Sequence, residues 1–176
     1  MRIMQKLSLA TATLFISGFF HMAVMAQSSP NFSGVWQLDL KASDSIDEIM
    51  KVQGFSGIER NFAAKMAVTQ TITQTDQVVT ITIKNPANTT TEELKLDGSE
   101  ENKSTPRMGE VTTRSFWDPS GTALITELDM TTKDGAPAEL IIRRYLEDNG
   151  NTMVQAMELK LAQGDVLKAN RVFRKS

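Results

Sequence analysis

The chain predicts an all-β protein. Residues 32–176 read as a ten-stranded antiparallel up-and-down β-barrel, capped by a helix-turn-helix lid between strands 1 and 2. Three observations predict it. From Val68 onward, segment after segment alternates with the two-residue period of a strand, as in Val79, Ile81 and Ile83 against Val78, Thr80 and Thr82. Short turn signals such as Asp118-Pro-Ser-Gly121, Lys133-Asp-Gly135 and Asp148-Asn-Gly150 join these segments, and hairpin-linked strands form an antiparallel meander. A flat sheet of that size would leave two exposed edges and a naked face, so rolling into a barrel is the simplest solution. Finally, only Ser43 to Met66 breaks the strand pattern, and it reads as two short helices.

Residues 1–26 read as a secretory signal. Arg2 and Lys6 form the charged start, Leu7 to Val24 the apolar run, and Val24-Met-Ala26 the small-residue cleavage site. Thr, Ser, Gly and His21 interrupt the run, and no basic stop-transfer cluster follows, which argues against a transmembrane anchor. Cleavage would leave residues 27–176, one domain's worth, destined for the periplasm or the medium. Without Arg2 and Lys6, the 19 basic residues of the 176-residue chain fall to 17 against 21 acidic ones. That net charge near −4 argues against nucleic acid as a partner. There is no cysteine, and the single histidine, His21, lies in the signal segment. Thiol nucleophiles, Ser-His-Asp catalysis and histidine-ligated metals or haem are therefore excluded from the remaining chain. No catalytic residue, metal or cofactor is expected.

After a polar leader, 27–31, Phe32 to Leu40 is the first strand, with Trp36 as a core plug at the closed end of the barrel. Ser45-Ile-Asp-Glu48 and Ser56-Gly-Ile-Glu59 are two capping boxes, and Gly54 between them suits a left-handed helix end. The first helix would bury Ile46, Ile49 and Met50, and the second Ile58, Phe62 and Met66. Val68 to Thr75, Val78 to Ile83 and Thr89 to Leu96 are strands, and Pro86 ends the middle one. Glu100 to Pro106 reads as a polar loop. Glu110 to Trp117, Leu124 to Thr131, Ala138 to Leu146, Thr152 to Leu161 and Val166 to Arg174 complete the sheet.

This order resembles the intracellular lipid-binding protein family, that of the fatty-acid-binding and cellular retinoid-binding proteins, with a calycin-type barrel. The stretches that carry it are Phe32-Ser-Gly-Val-Trp-Gln-Leu, Asp47-Glu-Ile-Met-Lys-Val-Gln-Gly54, Val79-Thr-Ile-Thr-Ile-Lys84, Thr91-Glu-Glu-Leu-Lys-Leu96 and Asn170-Arg-Val-Phe-Arg-Lys175. Lipocalins also open with Gly-x-Trp, but they place a helix after the barrel, whereas here the helices follow the first strand. The signal segment departs from the family, whose members are mostly cytosolic, and some hairpins are longer than the family's.

The resemblance implies a carrier of a long-chain fatty acid or similar anionic hydrophobic ligand. In the family two arginines and a tyrosine hold the carboxylate, and the last of these motifs is Arg-x-Tyr. Here Arg171-Val-Phe173 stands in its place, with Arg171 and Phe173 on the inward face and the hydroxyl deleted. The family's apolar-apolar-Arg order, matched on Leu140-Ile-Ile-Arg-Arg-Tyr145, selects Arg143, and Tyr145 on its face would restore a phenol. A one-residue slip would exchange Arg143 for Arg144. Met50, Phe55, Phe62 and Met66 are portal residues or the helices' packing face, and Lys51, Arg60 and Lys65 are candidates for transient membrane contact. The alternative is a lipocalin-like interaction or inhibitor barrel with a filled interior. A carboxylate enzyme using Glu127 and Asp129 is least favoured, because both face outward in this register.

Overall fold

A computed structural model describes residues 29–105 and 107–176; the expected signal segment and the start of the leader lie outside them. The elements in chain order are β1 (Gly34–Leu38), α1 (Asp47–Val52), α2 (Gly57–Ala63), β2 (Thr69–Gln74), β3 (Val78–Lys84), β4 (Thr89–Lys95), β5 (Glu101–Thr105), β6 (Gly109–Trp117), β7 (Leu124–Thr131), β8 (Pro137–Glu147), β9 (Thr152–Leu161) and β10 (Val166–Lys175). All neighbours pair antiparallel, in the order β4-β3-β2-β1-β10-β9-β8-β7-β6-β5. The pairing of β1 with both β2 and β10, through Trp36 opposite Gln70 and Lys175, joins the two halves of the meander.

The stretch expected as a polar loop, Glu100 to Pro106, contains β5; the ten expected strands are reached only by adding it to the nine segments assigned from the sequence. Its residues, Glu-Asn-Lys-Ser-Thr, carry no apolar side chain, so no hydrophobic period marked them; pairing with β6, from Glu101 opposite Thr113 to Thr105 opposite Gly109, makes the strand. β4 and β5 do not pair with each other, so the barrel keeps a seam. Two side-chain contacts cross it: Lys95 of β4 pairs with Glu101 of β5 at 2.7 Å, and Lys103 Nζ of β5 reaches the Glu93 carbonyl at 3.4 Å. Charged and threonine-rich edges of this kind resist pairing with another chain.

Two apolar layers fill the interior. The layer at the closed end gathers Phe32, Trp36, Ile72, Val79, Ile81, Leu94, Leu124, Met153 and Phe173. Trp36 is fully buried; its indole N–H donates to the Phe32 carbonyl at 2.8 Å, and Phe32 stacks on Trp117 with centroids 5.9 Å apart. The plug role expected for Trp36 is its observed position. The layer at the other end, with Ile49 of α1 inserted, gathers Val111, Met130, Ala138, Leu140, Leu159 and Ala169.

The lid is built as one good cap and one poor one. Ser56 forms its capping box: its hydroxyl accepts from Glu59 N–H at 3.3 Å, and the Glu59 carboxylate accepts from Ser56 N–H at 2.8 Å. The box expected at Ser45 does not form. Its hydroxyl accepts from Asp47 N–H, two residues on, and α1 starts at Asp47 with Ile46 as an uncapped N-cap. Gly54 has φ +87° and turns the chain between the helices, as only glycine does cheaply. Ile49 and Met50 are buried as expected, but α2 buries no residue. Its expected packing face points away from the barrel: Ile58 is 85% exposed and Phe62 54%. No helix among the described residues is long and apolar enough to cross a membrane.

Because Trp36 is fully buried in the closed-end layer, Trp36→Ala is expected to cost about 3–5 kcal/mol, read as a lower urea midpoint at an unchanged slope.

Candidate functional site

Between the apolar layers lies a polar belt, which the strand register assembles. Arg144 on β8 stands opposite Gln155 on β9, and Gln155 opposite Arg171 on β10. Strands lie about 4.8 Å apart, so two guanidinium-bearing residues share one row roughly 10 Å from end to end. Gln155 Nε2 donates to Gln70 Oε1 at 2.9 Å, a buried bond between β9 and β2. Thr126 and Ser115 continue the belt, with Ser115 Oγ donating to Thr126 Oγ1 at 3.1 Å.

Arg144 is 4% exposed. Its Nη1 donates to Thr126 Oγ1 at 3.2 Å, and its Nε, also buried, has no hydrogen-bond partner. Burial drives its pKa down, and the field of Glu92, on the inward face of β4, works the other way. Arg171 is 9% exposed, and burial alone drives its pKa down. Its Nη1 donates to the main-chain oxygen of Asp44 at 3.2 Å, in the loop before α1. Among the described residues neither arginine has an ion-pair partner. A buried guanidinium stays charged, and leaving it unpaired in a low-dielectric interior is costly, so the belt carries positive charge that no side chain pairs at contact distance.

The expected site residues divide between the two faces of the sheet. Arg171 and Phe173 point inward as expected, and Phe173 packs into the closed-end layer. Arg143 does not point inward. It lies on the outer face, 43% exposed, and its Nη2 donates to Asp118 Oδ2 at 2.6 Å. Tyr145 shares that outer face, so it supplies no phenol to the belt. The inward arginine of β8 is Arg144. The family's apolar-apolar-Arg order pointed to Arg143, and the run Leu140-Ile-Ile142, apolar on both faces, gives no alternation to oppose it. Glu139 was the usable signal: it and Arg143 fall on one face of a period-two strand, and a glutamate marks solvent.

Of the expected portal residues, Met50 is buried beneath the lid, and Phe55 lies half-buried under Arg107, whose guanidinium carbon is 4.3 Å from its ring centre. Phe62 and Met66 line an open groove of about 490 Å³ on the outside of α2, with Ile58, Lys65 and Pro86. Glu127 pairs with Arg114 on the outer face, a structural role for a carboxylate weighed as catalytic.

Asp118 anchors the β6–β7 hairpin. Desolvation pushes its pKa up, but the Ala123 N–H, the Arg143 guanidinium, the Ser120 hydroxyl and the Thr122 N–H outweigh it and bring it from 3.8 to about 2.

Sequence comparison finds no matching family model and no matching curated protein. Solved structures do match. The REP1-NXSQ fatty acid transporter is similar at 25% identity and a TM-score of 0.62, over 82% of this chain and 95% of that one. A Schistosoma mansoni fatty acid binding protein in complex with arachidonic acid is similar at 19% identity and a TM-score of 0.63, over 85% and 98%. Apo Caenorhabditis elegans lipid binding protein 8 is similar at 16% identity and a TM-score of 0.66, over 86% and 100%. The fold is that of the intracellular lipid-binding family, which the order of strands and helices in the sequence resembled.

Two outcomes follow from these side chains. Arg144→Met is expected to raise the stability of the ligand-free protein by about 1–4 kcal/mol, because it replaces a buried charge that makes no ion pair with a side chain of similar volume. Chemical denaturation checks this, and Arg143→Met is the outer-face control, with no such gain. For Asp118, the folded pKa lies below the unfolded one, so its contribution is complete above about pH 4 and is lost as pH falls through about 2. Asp118→Asn therefore removes part of the acid sensitivity of the thermal midpoint between those values.

Proposed function

We propose that the protein is an exported carrier of a long-chain fatty acid or similar anionic amphiphile. The observation that carries the reading is Arg144: a buried guanidinium with an orphaned Nε and no ion-pair partner, only the field of Glu92 acting on it, set between two apolar layers. A carboxylate can take such a fork through two parallel hydrogen bonds, which an ammonium could not offer. Arg171 adds a second positive charge to the same row. The acyl chain would have to part the lid-side layer and pack against Leu140, Ile142, Met157 and Leu159, at about 0.8 kcal/mol per buried methylene. The similar solved structures named as fatty acid transporters and binding proteins support the same reading. Export rests on the signal-like residues 1–26 and places the carrier in the periplasm or outside the cell.

Delivery would use the outside of the lid. Ile58 and Phe62 sit one turn apart on α2 beside Lys65, an apolar patch with a cation at its edge, which suits an anionic bilayer surface. Ile58→Ser with Phe62→Ser is expected to slow transfer of a fluorescent fatty acid to anionic vesicles several-fold, with its affinity for the protein unchanged.

A second reading has one specific support. The Gln155–Gln70 bond already spans part of the interior, as it would in a filled barrel that acts through its surface. Titration of delipidated protein with cis-parinaric acid separates the two. The carrier reading expects one saturable site, displaced by palmitate and weakened at least tenfold by Arg144→Gln. Absence of any saturable uptake would instead leave the filled barrel.

A further inference from the structure

One charge on the inner face is of the opposite sign to the belt. Glu92 on β4 stands opposite Ile81 on β3, which is fully buried. Leu94, two residues on and therefore on the same face, is buried opposite Val79. The row of Glu92 and Ile81 continues to Ile72 on β2, next to the inward row that holds Gln70 of the belt. Glu92 thus faces the interior beside the belt, and it is half-buried.

A carboxylate in that position calls for a cation or for donors. The lysines of the neighbouring seam are committed elsewhere. Lys95 pairs with Glu101 at 2.7 Å, and Lys103 reaches the Glu93 carbonyl at 3.4 Å and Glu101 at 3.6 Å. Among the described residues Glu92 makes no ion pair and no side-chain hydrogen bond. Its charge is felt by Arg144, across the interior: burial lowers the pKa of that guanidinium, and Glu92 pushes it back up. The two groups nevertheless do not meet. Arg144 Nη1 is held on Thr126 at 3.2 Å, and its Nε has no partner.

An acceptor-only carboxylate and a donor-only guanidinium therefore face one interior without closing on each other. A plain fatty acid serves only one of them. Its carboxylate suits Arg144 but brings a second negative charge within reach of Glu92, and like charges repel. A head group that carries a donor as well as a carboxylate serves both.

We propose that Glu92 is a specificity-determining residue of the carrier, which selects an amphiphile with a hydrogen-bond donor, a hydroxyl or an ammonium, within a few bonds of its carboxylate. The inference rests on the carrier reading. The ligand carboxylate lies on the Arg144 side and its donor on Glu92. A site built to take such a donor discriminates against the analogue without it, because the carboxylate of Glu92 is then buried under the ligand unpaired.

The test is isothermal titration of the delipidated mature protein with dodecanoate, 3-hydroxydodecanoate and 3-aminododecanoate, in the wild type, Glu92→Gln and Glu92→Leu. The wild type is expected to bind a substituted acid at least tenfold more tightly than dodecanoate. Glu92→Leu is expected to abolish that difference and to bind dodecanoate more tightly than the wild type does. Glu92→Gln keeps an acceptor oxygen without the charge, so it should retain part of a hydroxyl preference and lose an ammonium preference. A merely structural role for Glu92 would instead weaken all three acids alike, which overturns the inference. Preference for the hydroxy acid assigns the ligand to hydroxylated fatty acids, and preference for the amino acid alone assigns it to zwitterions. Equal binding of the three acids by the wild type, or a preference that survives in Glu92→Leu, overturns the inference and leaves the carrier reading standing. Absence of saturable binding by any of them removes the carrier reading and the inference with it.

Discussion

The structure turns on two positive charges that it does not neutralise. Arg144 and Arg171 sit in one row of the barrel interior, each at least nine-tenths buried, with hydrogen bonds but no ion pair. Burying an ion in a low-dielectric interior costs several kcal/mol even after relaxation, so a chain selected for stability alone would place methionine or leucine there. The apolar layers above and below can bear that cost, because Trp36, Phe32 and Phe173 close one end and Ile49, Leu140 and Leu159 the other. The interior is therefore apolar, polar and apolar again along the barrel axis.

The lid belongs to the same economy of contacts. Its turn is held from outside: Arg107 donates to the Gly54 carbonyl at 3.2 Å, pairs with Glu59 at 2.6 Å and covers Phe55. Lys133 N–H donates to the Val52 carbonyl at 3.0 Å. α1 packs, but α2 has no buried side chain, so it is anchored by its ends and by polar contacts. An element with little buried apolar area opens at lower free energy than the sheet beneath it. The seam between β4 and β5 is the other place where side chains stand in for a ladder, with Glu101 between two lysines. Both features lie where the barrel has no continuous hydrogen-bonded wall.

The outer face does the quieter structural work. Asp118 collects Arg143, Ser120 and two backbone N–H groups, and so fixes the hairpin that brings Trp117 and Leu124 to the closed end. Arg174 reaches both Asp39 and Asp148, tying the end of β10 to the chain after β1 and to the β8–β9 turn. These are the partners that the buried arginines lack, and the contrast separates charges paired on the outer face from charges left without an ion pair inside.

Local chemistry made much of this legible. Period-two alternation placed most of the strands, Ser56 and Gly54 placed the second helix and the turn before it, and alternation along Leu167, Ala169, Arg171 and Phe173 oriented β10, because each depends on residues within a few positions of one another. Only the folded sheet decided the rest. β5 has no apolar residue and exists through its pairing with β6. Arg144 rather than Arg143 enters the belt because β8 is apolar on both faces through Ile142, and the rows shared with Gln155 and Leu124 settle its register. Whether the face of Ile58 and Phe62 packs or looks outward depends on where α2 meets the barrel, and Arg171 finds the Asp44 carbonyl only because residues 127 positions apart meet. Such facts belong to distances between segments, which the order of residues along a chain does not specify.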